Sequence, residues 1–522
     1  MRLTRLHPRT GILFAAILLP FMVALSFGFG ATWDEKIQHE YGELVYRYFA
    51  SGFRDRSALE YKNLYLYGGL FDLLCALAAK WIPADPYIIR HAVNAVFGWI
   101  GVAYAGRLAS LLFGPAAGLL AMVMLTLSPR YLGDAMNNPK DIPFAALATM
   151  ATYYLATVER AYPYLNWKTA LKLTMAIALA INVRAGGLLF LCYFAALLTL
   201  FLATERAPTF ALLRRFAATA ARFGLIALAS VVLGTAFWPW AQAQPFVRPL
   251  YALHVLTHFY WPGSVLYRGQ YLPATEIPWD YPFVYMLITS PPLVIAGVIL
   301  SSLLVMRGGL AGRRALGCWV VLFFPLIYVV VQGSMLYDGI RQLMFAYPPM
   351  VVVAAGGWTF ALRGARRLLV PAVLLMAIGL AEPLIFQLRN HPNQIVYFNL
   401  FAGGPRGAFG RYDLDYWGAS MLPAVRRAAE IATSASRDVL LSSGDPNDVV
   451  QADMGRFSNL IYADKSAATS HLHIELLRGS PEQIAALLAS PTVYVVRTAD
   501  GAPLCVIQPG PRYRELPSHP GF

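Results

Sequence analysis

Two short stretches concentrate acids and amides. The first reads Trp33-Asp34-Glu35-Lys36, followed by His39, Glu40 and Glu43. The second runs from Asp134 through Asn137, Asn138, Pro139 and Lys140 to Asp141. A carboxylate beside a low-dielectric surface has its pKa pushed up toward values useful in a general base. Asp34, with Glu35 as its neighbour, could do that work. The plainer alternative is structural: acids favour a helix N-terminus, and Asn, Asp and Pro build ordinary turns. Cations form the other half of the pattern. They are Lys62, Arg184 and Arg341, each among Tyr, Asn or Gly close to an apolar run. An arginine at membrane level costs about 2.5–3.5 kcal/mol on insertion scales, so it needs a partner. That partner is either an internal acid, such as Asp338 for Arg341, or an anionic ligand, because Arg grips phosphate through two parallel hydrogen bonds.

The elements that must carry these residues are membrane helices. Of 522 residues, 58% are hydrophobic and only 13% charged, against about 25% charged in average soluble domains. Mean hydropathy is +0.52. Apolar runs of about 20 residues recur, the length a helix needs to cross a bilayer, and in lipid such runs must be helical. About 11 spans are expected, at 11–30, 88–110, 115–133, 142–158, 169–185, 186–203, 223–238, 281–305, 316–333, 343–362 and 368–386. Arg2, Arg5 and Arg9 precede the first, which reads as an uncleaved span rather than a secretory signal.

Charge sets the orientation. The net charge of +14 comes from arginines in short loops, which points to membrane topology rather than nucleic acid; no basic-and-aromatic pattern for single strands is present. With the N-terminus inside, Arg107, Arg160, Lys168, Arg206, Arg214, Arg215, Arg222, Arg307, Arg313, Arg314, Arg363, Arg366 and Arg367 all fall inside. Counting the apolar run 64–81 as a crossing would reverse this, so it is expected to be a re-entrant or surface-lying helix. Residues 31–87, 134–141, 239–280 and those after 386 then lie outside, together with every acid and cation of the opening pattern. Residues 1–386 are expected to form the membrane unit. Residues 387–522, with strand-like runs at 438–443, 492–497 and 503–508 and helical runs at 421–432 and 481–488, form a small outer α/β unit.

Other signals are weaker. His254 and His258 share a helix face but lack a nearby third ligand, so no cofactor is certain and divalent metal use stays open. Trp261 fits either an aromatic belt or a substrate contact. Four cysteines, Cys75, Cys192, Cys318 and Cys505, show no disulfide or metal spacing.

Acids and cations together at an outer lipid boundary suit a lipid-phosphate sugar donor: cations hold the phosphate while a carboxylate deprotonates an acceptor hydroxyl. The chain resembles the GT-C class of membrane glycosyltransferases. The nearest branch holds the dolichyl-phosphate-mannose protein mannosyltransferases and the lipid A aminoarabinose transferase. Asp34-Glu35 matches the acidic pair directly after the first span, and the resemblance implies Asp34 as catalytic base. It implies Asp134 or Asp141 as the second-loop aspartate, Lys62 near the donor phosphate, and Arg341 with Tyr347-Pro348 as the arginine before a late span. The stretch 61–70 departs from the family's His-Pro-Pro-Leu. His391-Pro-Asn-Gln-Ile-Val-Tyr-Phe-Asn399, Gly403-Gly404 and Asp415-Tyr-Trp-Gly418 resemble a motif of some bacterial members. His39, Asn137, Lys140 and Trp261 complete the candidate set as substrate contacts. The implied protein sits in a bacterial inner membrane, N-terminus cytoplasmic and C-terminal unit periplasmic. It would meet a polyprenyl-phosphate sugar donor, membrane lipids and a glycan, lipid or protein acceptor. A flippase would instead carry polar residues at mid-membrane, and a scaffold would be indifferent to changes at Asp34, Lys62 and Arg341.

Overall fold

A computed structural model describes residues 8–161, 165–204, 209–364, 369–463 and 469–516. Arg2, Arg5, Arg206, Arg366 and Arg367 lie outside the described residues. The chain is mainly helical. Helix α1 (Pro8–Ser26) is the first apolar helix. Helices α2 (Glu35–Ala50) and α3 (Leu70–Trp81) fill the loop after it. With 12 residues, α3 reaches about 18 Å, short of the ~30 Å hydrocarbon core. It packs Leu73 against Tyr41 and Val45 of α2, and Phe71 and Cys75 against the helical core.

Helix α4 (Pro86–Phe113) begins where Asp85 accepts from the N–H groups of Tyr87 and Ile88, with Pro86 preset for the first turn. Gly114, at φ 103°, ends it in a conformation that suits glycine. Helices α5 (Pro115–Thr126) and α6 (Pro129–Asn137) form one apolar window bent by 67°. Pro129 lacks the N–H that would continue α5, so the chain breaks at Leu127–Ser128 and α6 turns aside. Then come α7 (Asp141–Ala161), α8 (Trp167–Ile181), α9 (Leu189–Thr204) and α10 (Thr209–Gly234). The loop after α10 holds α11 (Pro239–Gln242), α12 (Arg248–Thr257) and a hairpin of β1 (Ser264–Tyr267) with β2 (Gln270–Pro273). Helices α13 (Tyr281–Ile288) and α14 (Pro292–Arg307) make a second broken window, bent by 115° where Pro291-Pro292 interrupts it. Helices α15 (Gly309–Val331), α16 (Tyr347–Gly364) and α17 (Leu369–Asn390) complete the helical part.

Among the described residues, five helices are long and apolar enough to cross a membrane, or seven with each bent pair as one span. The chain is a multi-pass membrane protein. The count falls below the eleven expected because a hydropathy window registers composition, not length or bends. The runs at 169–185, 186–203 and 223–238 sit in shorter apolar helices or shorter apolar parts of helices here.

The segment after α17 folds back over the helices. Ile395, Val396, Phe398, Tyr412 and Trp417 share one hydrophobic core with α4 to α7 and α13 to α16. Asn399 donates from Nδ2 to the carbonyls of Leu287 and Ser290, both at 2.7 Å, meeting carbonyls that the α13–α14 bend leaves without helical partners. A short α18 (Gly404–Ala408) follows. Beyond it come α19 (Met421–Ser434), β3 (Val439–Ser443), α20 (Asn447–Met454), β4 (Leu460–Tyr462), β5 (Leu472–Leu476), α21 (Pro481–Ala489), β6 (Tyr494–Arg497) and β7 (Pro503–Pro509). The sheet order is β4-β3-β5-β7-β6. Strand β3 is parallel to both β4 and β5; β7 is antiparallel to β5 and β6. Alternate residues Val439, Leu441, Leu472, Ile474 and Leu476 pack with α19. The expected strands and helices of this unit are present; β4, β5 and α20 are additional.

Candidate active site

The adjacent acids Asp34 and Glu35 take different jobs. Glu35 is buried. Its Oε2 accepts from the Thr32 N–H at 2.9 Å and lies 3.0 Å from His91 Nε2. With the Glu35 N–H donating back to the Thr32 carbonyl at 3.0 Å, this bond closes a tight turn just before α2. Asp34 stands at the N-cap position of α2, yet its side chain makes no capping bond. Its carboxylate turns instead toward Lys140 Nζ at 3.5 Å and Arg341 NH1 at 3.7 Å. With Glu35 holding the helix start, Asp34 is free to face the cations.

The second acidic loop forms a hub. Asn138 donates from Nδ2 to Asp134 Oδ1 and Asp141 Oδ2, both at 3.1 Å, and its Oδ1 accepts from the Asp141 N–H. Asp141 starts α7 and lies 2.6 Å from Arg184 NH1 through Oδ1. Its Oδ2 is 3.6 Å from Arg341 NH1. Tyr67, from the first loop, lies under both Lys140 and Arg184, at 5.2 and 5.7 Å from its ring centre. Asn137 clamps the other loop: its Nδ2 donates to the Gly30 carbonyl and its own carbonyl accepts from the Thr32 hydroxyl.

Arg341 closes the cluster. Its Nε and NH2 edge is held by Asp338 Oδ2 at 3.1 and 3.0 Å. Its NH1 faces the space between Asp34 and Asp141. Tyr337 and Trp417 lie beside its guanidinium, each 5.0 Å away. Trp417 is placed by Asp415, whose carboxylate accepts from the N–H groups of Trp417, Gly418, Ala419 and Ser420. Trp417 also accepts at its carbonyl from the Trp33 N–H. The Asp-Tyr-Trp-Gly motif therefore shapes one wall of the cluster. Trp261 stacks on Tyr337 with ring centres 4.4 Å apart.

The C-terminal unit grips the loop that carries Asp34. Ala31 belongs to its core. The Ala31 N–H donates to Asp453 Oδ1, Arg456 donates to the Phe29 carbonyl, and Lys36 pairs with Asp448 at 2.9 Å. Arg478 reaches further, donating to Asp338 Oδ1 and to the Tyr416 carbonyl, both at 2.7 Å.

The ion-pair network thus joins three carboxylates, Asp34, Asp141 and Asp338, to four cations, Lys140, Arg184, Arg341 and Arg478. The buried acids Asp134 and Asp413 and the buried Arg130 lie within electrostatic reach of the same groups. Burial pushes the Asp34 carboxyl up, but Lys140, Arg341 and Arg184 outweigh it and hold it below the usual carboxylate range. These cations keep Asp34 ionised.

Asp34, Asp141, Lys140, Arg184, Arg341 and, through Tyr337, Trp261 come together. Asp134 is fully buried one amide away, with Oδ2 unpartnered by protein. Lys62 stands apart: its side chain is 52% exposed and its Nζ is 3.9 Å from Glu40. His39 is near Tyr87; its pKa is lowered by burial and then by Arg90. Asp338 is the internal partner that the sequence offers for Arg341, whereas Asn138, Tyr67, Trp417 and Arg478 are not among the sequence candidates. Trp417 lay within a noted motif, whereas Arg478 lies 140 residues from its partner Asp338 with no local signal. No group of three or more His, Cys, Asp or Glu side chains that could hold a metal occurs among the described residues. Surface cavities of about 560 and 460 Å³ lie elsewhere, beside Trp240 and Arg389.

No protein-family model matches the chain, and no curated protein matches it. Among solved structures it is similar to ArnT from Cupriavidus metallidurans bound to undecaprenyl phosphate, with TM-score 0.49 and 13% identity over 95% of this chain and 97% of that one. The apo state of the same protein gives TM-score 0.47 and 12% identity over the same shares. The archaeal oligosaccharyltransferase AglB from Archaeoglobus fulgidus, in complex with an inhibitory peptide and a dolichol-phosphate, gives TM-score 0.47 and 11% identity over 89% of this chain and 69% of that one.

Proposed function

We propose that the chain is an inverting glycosyltransferase, moving a monosaccharide from a polyprenyl-phosphate donor to an acceptor hydroxyl at the outer face of a bacterial inner membrane. The observation that carries this reading is the placement of Asp34: at the N-cap of α2 its side chain makes no capping bond and faces Lys140 and Arg341 across 3.5 and 3.7 Å. In this reading the donor phosphate lies against Lys140, Arg184 and the NH1 edge of Arg341, drawing them partly away from Asp34 and Asp141. Asp34 takes the proton of the acceptor O–H as that oxygen attacks the anomeric carbon. The bond from that carbon to the phosphate oxygen breaks, and the cations stabilise the departing lipid phosphate. A single displacement from the opposite face inverts the anomeric centre.

The cations that depress Asp34 have a second consequence. A carboxylate held that low is a weak base. A phosphate seated on Lys140 and Arg341 competes for their charge, so donor binding raises the basicity of Asp34 when an acceptor is needed. This couples the two half-sites by charge alone. The sugar can be a hexose or pentose, and the acceptor a glycan, lipid or protein. The test is incubation of purified protein with a panel of polyprenyl-phosphate sugars and acceptors, reading release of the lipid phosphate. Release that depends on Asp34 is the expected result; binding of these lipids with transbilayer movement and no release would overturn the transferase reading.

A further inference from the structure

The sheet of the C-terminal unit is aimed at the membrane site. Strand β3 lies between β4 and β5, parallel to both; the chain leaves its carboxyl end through α20 to β4 and then crosses to β5. Here the turn after β3 brings Pro446 against Gly418, next to the Trp417 wall, and the turn after β5 carries Arg478. That turn is fixed by backbone bonds from Leu477 to the Leu504 carbonyl and from Arg478 to the Leu476 carbonyl. The Arg478 guanidinium lies 5.7 Å from the centre of Trp33 and 5.9 Å from that of Trp261. Trp33 directly precedes Asp34.

Asp338 is shared between two arginines. Arg478 takes Oδ1, while Arg341 takes Oδ2 with Nε and NH2. Both edges of that carboxylate are committed, so it cannot rotate, and Arg341 is left with NH1 as its outward edge. That edge stands 3.6–3.7 Å from Asp141 and Asp34, beyond a good hydrogen bond. We propose that Arg478 is a positioning residue: by locking Asp338 it fixes the guanidinium plane of Arg341 and so the direction of its NH1 edge, so that the C-terminal unit completes the phosphate grip of the membrane unit. The inference rests on the function proposed above and adds a role for the sheet unit that the membrane helices alone do not supply.

A second contact between the units provides the control. Lys36 and Asp448 form an exposed pair, 42% and 39% accessible, that joins the same two units without touching Asp338. The probe is a polyprenyl monophosphate in detergent micelles, read by quenching of tryptophan fluorescence from the full chain, which has Trp33, Trp261 and Trp417 at the site. Asp448→Asn is expected to bind as wild type does. Arg478→Ala is expected to weaken binding about tenfold or more. Arg478→Lys, which keeps a cation on Asp338, is expected to recover most of that loss. On an Arg341→Ala background, Arg478→Ala is expected to add less than about threefold, as two changes in one network do. Should Arg478→Ala not stay monodisperse, Asp338→Asn decides, since it frees both arginines and is expected to weaken binding by a similar factor. Wild-type binding left intact by Arg478→Ala or by Asp338→Asn overturns the inference. So does an equal loss from Asp448→Asn, which would reduce Arg478 to a docking contact. Absence of binding by the wild type is a different result and overturns the proposed donor instead.

Discussion

Two acidic clusters lie back to back across one peptide bond. Around Glu35, bonds are short and closed: 2.9 Å to Thr32, 3.0 Å to His91, both partners buried. Around Asp34, they are long and open, 3.5 and 3.7 Å to Lys140 and Arg341, with the side chain 21% exposed. A structural carboxylate is satisfied by what surrounds it. The Asp34 carboxylate is held by charge at a distance and keeps lone pairs for another partner. In the function proposed above, the contrast assigns chemistry to Asp34 and architecture to its neighbouring acid Glu35.

The strongest way to break the contrast is to neutralise each acid in turn. Asp34→Asn is expected to lower turnover by about 10²–10⁴-fold, the range of general-base catalysis, with the unfolding midpoint in detergent unchanged. Glu35→Gln is expected to do the reverse. It loses the charge facing His91 and costs about 1–3 kcal/mol of stability, while the folded fraction still turns over. Equal turnover losses from the two variants would dissolve the distinction.

The sequence makes part of this legible, for physical reasons. Apolar runs and loop arginines identify a membrane chain because both follow directly from residue type. The acids at 34, 134 and 141 and the cations at 184 and 341 stand out because charges are rare in such a chain. Capping or catalysis at Asp34 was not decidable, because that turns on which of two adjacent side chains bends back to Thr32. The bends at Pro129 and at Pro291-Pro292 were missed, since an apolar window averages over them. Lys62 was grouped with the site by its loop, but at φ 50° it pairs with Glu40. Arg478 is invisible in sequence, because the fold lays the turn after β5 on a loop 140 residues away without any local pattern.

The second test enters through the cations. Arg341→Ala leaves Asp338 with only Arg478 and removes the group between Asp34 and Asp141. Donor KM is expected to rise roughly a hundredfold, on the order of the loss when one member of a buried charge set is removed. KM for the acceptor is expected to move little, since Arg341 faces the phosphate in this reading. A matching change at Glu35 should not separate the two constants in this way.

A smaller effect sharpens the electrostatic half of the comparison. The acid limb of kcat/KM reports the free enzyme and that of kcat the donor complex. Asp34 in the free protein is held low by Lys140, Arg341 and Arg184 against its burial, so kcat/KM is expected to fall only at distinctly acid pH. If phosphate takes over those cations, the kcat limb lies at higher pH, by about one unit for a tenfold change in proton affinity. Coincident limbs would mean that the charges depressing Asp34 are not the ones that bind the donor.

The smallest effect belongs to the closed side. Asp453 accepts from the Ala31 N–H and faces Arg456, His91 and Glu35. Burial raises its carboxyl to about 6, with Arg456 and the Ala31 bond pulling the other way. The folded state therefore binds this proton more tightly than the unfolded chain, whose ordinary value is 3.8. The stability this group contributes is full below that value and is lost as pH rises through about 6. At neutral pH the docked unit thus holds an ionised carboxylate in a buried place. Asp453→Asn keeps an oxygen for Ala31 and removes the charge. It is expected to stabilise the protein by about 1 kcal/mol at pH 7.5, under the roughly 3 kcal/mol ceiling that a two-unit shift implies. The gain should vanish well below the ordinary value of 3.8, where both states of the native residue are protonated, and turnover should stay level throughout. Thermal unfolding at the two pH values decides it: a gain independent of pH would locate the benefit in packing and not in the buried charge.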